Sequence, residues 1–410
     1  MEEKKILGWG KYEFTLVVCF FVAWGVIFLD RVVMPFLAPV VMADLGLTEM
    51  QYALQNTLLV GFFAISAIFL TGFIEASGKR KLWLILLTIG SGIFSILGGL
   101  SQTAGQLIVT RALVGLMQGP VAPIVYAMLV RESSEQKVAL NSGIVNTGVG
   151  IIAITIGPIV MTQIAAVTSW RMSFVVTGIS SIVAGLILLK VLRESAFATS
   201  EEKKQSQLKT LIILCKYRNV FISFILGILC MAAYWTTMLY ATRFFVAAGN
   251  PLTGAGFIVS GMGAMGIVMA IVVPKLSDYM GRRAALVFWF ALCAAMPFVM
   301  FGAPTSAAAI VMYVLLGGVP GSAMPFFHAI IPGETLPAHL VGTANGLILG
   351  IAELVGGSLW PAALGTIAES QGLPTVILTA GIALILAAII SLFLKETKKG
   401  KRAEDKIQSK

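Results

Sequence analysis

Twelve apolar runs, each long enough to cross a bilayer as a helix, constrain this chain more than any other feature. They fall at about 14–42, 50–75, 82–101, 106–130, 138–165, 172–192, 219–247, 253–275, 284–302, 306–331, 341–366 and 373–394, with short polar links between them. At roughly 1.5 Å per helical residue, about 20 residues cover the hydrocarbon core. Only helices and closed barrels satisfy their backbone groups in lipid, and barrel strands are far shorter than these runs. The sequence therefore predicts an all-α integral membrane protein with twelve transmembrane helices. A composition of 58% hydrophobic and 12% charged residues excludes a water-soluble globular chain.

A net charge of +10 would suit a nucleic-acid partner, but the placement of the charge argues otherwise. Arg171 alone falls in a loop on the face away from the termini, and Arg31, Arg111 and Arg243 fall within spans. The remaining Lys and Arg residues lie on the side of the termini, which the positive-inside rule assigns to the cytoplasm. The expectation is a multi-pass protein of the cell membrane with both termini cytoplasmic, the lipid bilayer as its surroundings and no nucleic acid. Cys19, Cys215, Cys230 and Cys293 have no paired spacing and read as small core residues. No signal peptide is expected before the first span, and the charged start reads as a cytoplasmic tail.

An internal repeat divides the chain. A shift of 203 residues places Glu75-Ala76-Ser77-Gly78-Lys79-Arg80 on Asp278-Tyr279-Met280-Gly281-Arg282-Arg283, Gly143 on Gly346 and Pro158 on Pro361. Two parallel six-helix halves are expected at 1–192 and 219–395, with a cytoplasmic connector at 193–218 and a tail at 396–410. The connector carries the run Glu201-Glu202-Lys203-Lys204-Gln205 and is expected to be partly helical.

Twelve spans, parallel halves and the loop after the second span resemble the major facilitator superfamily over essentially the whole chain. Glu75, Gly78, Lys79 and Arg80 match that family's loop motif, while Thr71 and Ala76 depart from it. Asp278, Gly281, Arg282 and Arg283 match in the second copy, while Pro274 and Tyr279 depart. The resemblance implies that Glu75, Arg80, Asp278 and Arg282 act as a conformational latch. Arg111, Gly115 and Gly119 resemble the fourth-span motif, and Gly157-Pro158 the fifth-span element. Within the superfamily the chain is similar to the anion:cation symporters. The matching pieces are Asp30-Arg31 followed by Pro39, Asp44-Leu45-Gly46-Leu47-Thr48, Asn141 to Gly148, and Trp170-Arg171. That group commonly has a glutamate where this chain has Gln118.

The residues themselves point to a transport site. Asp30 and Arg31 sit near mid-membrane, where each charge costs about 2.5–3.5 kcal/mol, so they should meet a wet cavity or a partner. Neighbours on a helix do not face each other, which sends the two side chains to different partners. A purely structural ion pair is the competing reading. Arg31, Gln118, Tyr126, Tyr234, Trp235 and Asn345 are the candidate substrate-binding residues, and Asp30 and Glu353 the candidate proton-coupling groups. Arg111 lies about a turn inside the far face, where it either snorkels to water or reaches a cavity. No nucleotide-binding loop or histidine cluster is present, so neither an enzyme nor a cofactor or metal is expected. The expected function is proton-coupled symport of a small organic anion by a monomer using alternating access. A drug or lipid efflux antiporter is the transport alternative, and a ligand sensor the alternative from another class.

Overall fold

The computed structural model describes residues 9–134, 136–193 and 207–397. The charged run 201–205 and most of the tail lie outside these residues. Among the described residues twelve helices are long and apolar enough to span a membrane: Lys11–Leu45, Glu49–Ser77, Arg80–Gly99, Ala104–Glu132, Val138–Val167, Trp170–Val191, Arg218–Ala247, Leu252–Met280, Arg282–Gly302, Ala307–Thr335, Leu340–Gln371 and Leu373–Ser391. We number them as the first to twelfth spans. Polar caps set several of their ends. Thr48 and Gln51 form a reciprocal capping box at the second span, and Thr103, Ser169 and Ser306 accept the backbone N–H three residues on. A short helix, Gln207–Cys215, precedes the seventh span. Cys230 and Cys293 are buried as expected, but Cys215 is exposed and Cys19 half-buried.

The 203-residue offset recurs in the coordinates. The second and eighth spans, Glu49–Ser77 and Leu252–Met280, share it at both ends, as do the fourth and tenth, Ala104–Glu132 and Ala307–Thr335. The fifth and eleventh spans each contain a π-helical segment, Val149–Ile156 and Ala352–Leu359, separated by the same offset. Each segment runs into a proline, Pro158 or Pro361, which lacks the N–H that an α register would use. In both copies of the loop motif the glycine takes a positive φ, 67° at Gly78 and 89° at Gly281, as the tight turn requires.

An even number of crossings puts the described ends on one face, here called the terminal face. On the far face the first and last six spans are joined. Arg243 makes a two-pronged ion pair with Glu49, one prong being Nη1 to Oε2 at 2.6 Å. The Tyr52 hydroxyl donates to the Leu239 carbonyl at 2.5 Å, and the Met50 N–H donates to Glu369 at 3.0 Å. Closer to the middle, Asn56 donates to the Gly357 carbonyl, and Thr57 and Ser358 each donate to the other's carbonyl. The apolar core follows the same division. Val32 to Val41 of the first span share one cluster with Trp235 to Phe245 of the seventh, whereas Leu16 to Ile27 belong to a separate cluster with Leu84, Ile124 and Leu188. The halves are thus packed together on the far side and have separate cores on the terminal side.

Close helix approach depends on Gly115, where an added Cβ would run into the Leu59 backbone of the second span, while Gly143 faces open space. Gly115→Ala should therefore destabilise by about 1–3 kcal/mol, and Gly143→Ala should be close to neutral. Thermal unfolding of the purified variants in detergent checks this; equal melting temperatures would refute the packing account.

Candidate functional site

The site is built on a proline. Pro35 has no N–H to offer the carbonyl of Arg31 one turn earlier, so that carbonyl is left open in the first span. Arg111 from the fourth span fills it. Its Nη2 donates to the Arg31 carbonyl at 2.5 Å and its Nη1 to the Asp30 carbonyl at 2.8 Å. The guanidinium also lies 3.9 Å from the Asp30 carboxylate. With only 2% of its surface exposed, Arg111 does not snorkel to the far face, which corrects the first of the two expectations for it. The planar fork meets two carbonyls at once with the acid beside it, while Arg111 Nε and Asp30 Oδ1 stay buried without a hydrogen-bond partner.

Asp30 and Arg31 point to different partners. Asp30 is fully buried and turned into the first six spans, where its Oδ2 accepts from Ser91 at 3.0 Å and from Gln118 at 3.3 Å. The Gln118 amide also donates to Ser91 and to the Ile27 carbonyl, so it belongs to the shell around Asp30. This gives a physical reason for an amide at 118: a second carboxylate here would repel Asp30 unless it carried a proton.

Arg31 projects the other way, into the junction between the halves. Its Nη2 meets Glu353 Oε2 of the eleventh span at 3.4 Å. Three aromatic rings surround the guanidinium, with centroids 4.7 Å away for Phe63, 5.0 Å for Trp235 and 5.4 Å for Phe28. Glu353 lies in the π-helical segment, and its side chain keeps 23% exposure. Gly357 makes room for this arrangement, since a Cβ there would come within 3.0 Å of the Trp235 ring and 2.7 Å of Glu353. Arg31 Nε and Trp235 Nε1 are both buried without a hydrogen-bond partner. Two unused donors beside a cation favour a ligand rich in acceptor oxygens.

The other candidates are dispersed. Tyr234 joins the cluster edge-on to Trp235 at 5.8 Å and packs against Gly321. Tyr126 lies about two turns beyond Gln118 along the fourth span, 3.4 Å from Asn146, and half-buried Asn345 sits beside His328. Neither touches the Arg31 cluster through a described hydrogen bond. The described latch contacts remain within each half: Arg80 pairs with Glu75 at 3.3 Å, and Arg282 pairs with Asp278 at 2.6 Å and with Glu334 at 2.9 Å. With separate cores on this face, the nearest counter-charges are local. Asp44 accepts from Arg171 at 2.6 Å and from Trp170 at 3.1 Å, so two of the symporter-like pieces meet as a joint between far-side loops. Phe28, Phe63 and the Glu49–Arg243 pair were not anticipated. Phe28 lies one turn before Arg31 and could have been found by helical spacing, whereas nothing local marks Phe63.

Residues 16–361 match the family model for the Major Facilitator Superfamily. The chain belongs to that superfamily, a family of membrane transporters and not of enzymes. It is 27% identical over 327 residues to the multidrug resistance protein MdtG of Escherichia coli O17:K52:H18, covering 76% of this chain and 78% of that one. A bacterial homologue of the human lysosomal transporter Spinster, solved in an inward-facing, unoccupied conformation, superposes with a TM-score of 0.79 at 15% identity, covering 94% and 97% of the two chains. A D-xylose–proton symporter gives 0.75 at 15% identity, covering 95% and 99%. These structural likenesses support the fold.

Arg111→Lys keeps the charge but offers a compact ammonium in place of the fork, and should cost about 1–2 kcal/mol. Arg111→Met leaves the Asp30 carboxylate without its counter-charge and should cost about 3–5 kcal/mol. Melting temperatures in detergent, ranked wild type, then Lys, then Met, check the assignment; a Met variant as stable as wild type would remove Arg111 from this role.

Proposed function

We propose that this transporter is a proton-coupled symporter of a small organic anion, working as a monomer by alternating access between its two halves. The observation that carries this reading is Arg31, paired with Glu353 through one Nη while its own Nε and the neighbouring Trp235 Nε1 are donors without an acceptor. An anionic carboxylate and the Glu353 carboxylate compete for the same guanidinium. Protonation of Glu353 releases Arg31, which can then hold the substrate through charge-assisted hydrogen bonds, while Phe28, Phe63, Tyr234 and Trp235 cover its apolar part. Proton and anion consequently enter together. Asp30 is the second candidate for proton coupling. Its enclosure with Ser91, Gln118 and Arg111 suits it to fixing the first span, and Glu353, being partly accessible, is the better-placed exchanger.

The distribution of Lys and Arg supports a cytoplasmic terminal face. In that orientation the structure has its joined side outward, and breaking the Glu49–Arg243 pair accompanies outward opening. Glu75, Arg80, Asp278 and Arg282 serve as latches that re-pair across the halves when the terminal side closes.

A second reading is drug efflux, favoured by the similarity to MdtG and by an accessible carboxylate among aromatic rings, which would suit a lipophilic cation. Substrate sign separates the two. Arg31→Ala removes the cation facing the interface and should cost an anion about 2–5 kcal/mol of binding, while Arg31→Lys retains part of it. A cation would bind Arg31→Ala as well as wild type or better. Counterflow in proteoliposomes with a panel of organic acids and cationic dyes gives the measurement, and dye transport unaffected by the substitution would overturn the symport reading.

Glu353→Gln should abolish accumulation driven by a pH gradient while leaving anion exchange measurable. If Asp30→Asn has that effect and Glu353→Gln does not, Asp30 is the coupling group.

A further inference from the structure

The terminal face carries a second constellation that the transport site does not use. Between the start of the first span and the end of the sixth lies a cavity of about 440 Å³, lined by Lys11, Tyr12, Thr15, Lys190 and Arg193 among others. The described lining residues include three cations and no carboxylate. Tyr12 organises them: its hydroxyl accepts the Arg193 backbone N–H at 3.1 Å, and the Arg193 guanidinium stacks over its ring at 4.4 Å. Arg193 is therefore fixed against Tyr12, and Lys11 and Lys190 border the same cavity from exposed positions at the ends of their spans.

Below the cations the two helices continue as apolar stripes. Lys11, Thr15, Val18 and Val22 follow one face of the first span at helical spacing, and Val18 and Val22 are 44% and 40% exposed. Arg31 lies nine residues beyond Val22, two and a half turns on, so it faces the opposite direction; the stripe points away from the transport site. On the sixth span, Ile179, Val183 and Ile187 precede Lys190 on one face and are likewise exposed, at 50%, 47% and 44%. Cations at the ends of two packed spans, above exposed apolar residues on both, fit an amphiphile with a phosphate flanked by ammonium and guanidinium groups and acyl chains along the helices.

We infer that the seam between the first and sixth spans is a binding site for an anionic phospholipid, with its phosphate held by Lys11, Lys190 and Arg193. The charge set selects phosphatidylglycerol-type headgroups over zwitterionic ones, because a choline or ethanolamine group would add a fourth cation to the cavity. The lipid bridges the first span, which carries Asp30 and Arg31, to the outer sixth span.

The test uses the purified full chain, delipidated in detergent, with phosphatidylglycerol, phosphatidylcholine and inorganic phosphate as probes. Native mass spectrometry should retain one phosphatidylglycerol per chain, at least tenfold more tightly than phosphatidylcholine. Lys11→Gln, Lys190→Gln and Arg193→Gln together should reduce it to the phosphatidylcholine level. Lys11→Arg with Lys190→Arg should preserve it, as should Lys79→Gln with Lys81→Gln on the same face. Should the triple variant aggregate, Lys190→Gln alone is read, with a severalfold loss expected. Unchanged retention in the variants, equal retention of phosphatidylcholine, or full displacement of phosphatidylglycerol by millimolar inorganic phosphate would overturn the proposal, the last result marking a site for free anions instead of lipid.

Discussion

No charge at mid-membrane can stand alone, and the arrangement of this protein's centre follows from that constraint. Four ionisable side chains meet there: Asp30, Arg31, Arg111 and Glu353. Each would cost several kcal/mol if unpaired in the hydrocarbon region. They resolve into one acid and one base inside the first six spans, Asp30 with Arg111, and one acid and one base across the halves, Arg31 with Glu353. The first pair is enclosed and reinforced by two backbone carbonyls, Ser91 and Gln118. The second is held by a single contact of 3.4 Å, and Glu353 is partly accessible.

That asymmetry divides the labour between two adjacent residues. Asp30 and its partners enclose the stretch of the first span around the carbonyl that Pro35 leaves open, and Arg31 projects from that enclosed stretch. Arg31 itself meets a carboxylate of the last six spans through one contact, and in the proposed cycle that contact is the one a ligand and a proton replace. The far face shows what a stronger closure looks like: Glu49 and Arg243 are paired by both prongs, with the Tyr52 and Tyr240 rings 5.1 and 5.7 Å from the guanidinium. The proposed alternating cycle calls for one side tied and the other parted, and the shared core on the far face and separate cores on the terminal face are consistent with it.

Much of the fold was legible because its cause is local. Length and hydropathy dictate the spans, and the repeat of an acid, a glycine and bases at an offset of 203 anticipated a correspondence that extends to helix ends and π-helical segments. The divergent directions of Asp30 and Arg31 followed from helical geometry alone. The partners were harder to see. Glu353 lies 322 residues from Arg31, and no spacing rule connects them. Arg111 was placed near the far face by counting along its helix, but the open carbonyl left by Pro35 draws it inward, and that signal was present in the sequence. Gln118 was a candidate ligand, and its amide is engaged by Ser91, the Ile27 carbonyl and the Asp30 carboxylate within the first six spans. The π-helical segments escaped notice because a proline marks where an α register is disturbed without saying that the turn widens.

The central claim is that Glu353 and the substrate exchange places on Arg31, with a proton balancing the exchange. Proton uptake on anion binding tests it most directly, measured in weakly buffered detergent solution near neutral pH with a transported organic acid. Wild type should take up close to one proton per anion bound, and Glu353→Gln should bind the anion with no uptake. Anion binding by wild type without proton uptake, or undiminished uptake in Glu353→Gln, would contradict the account.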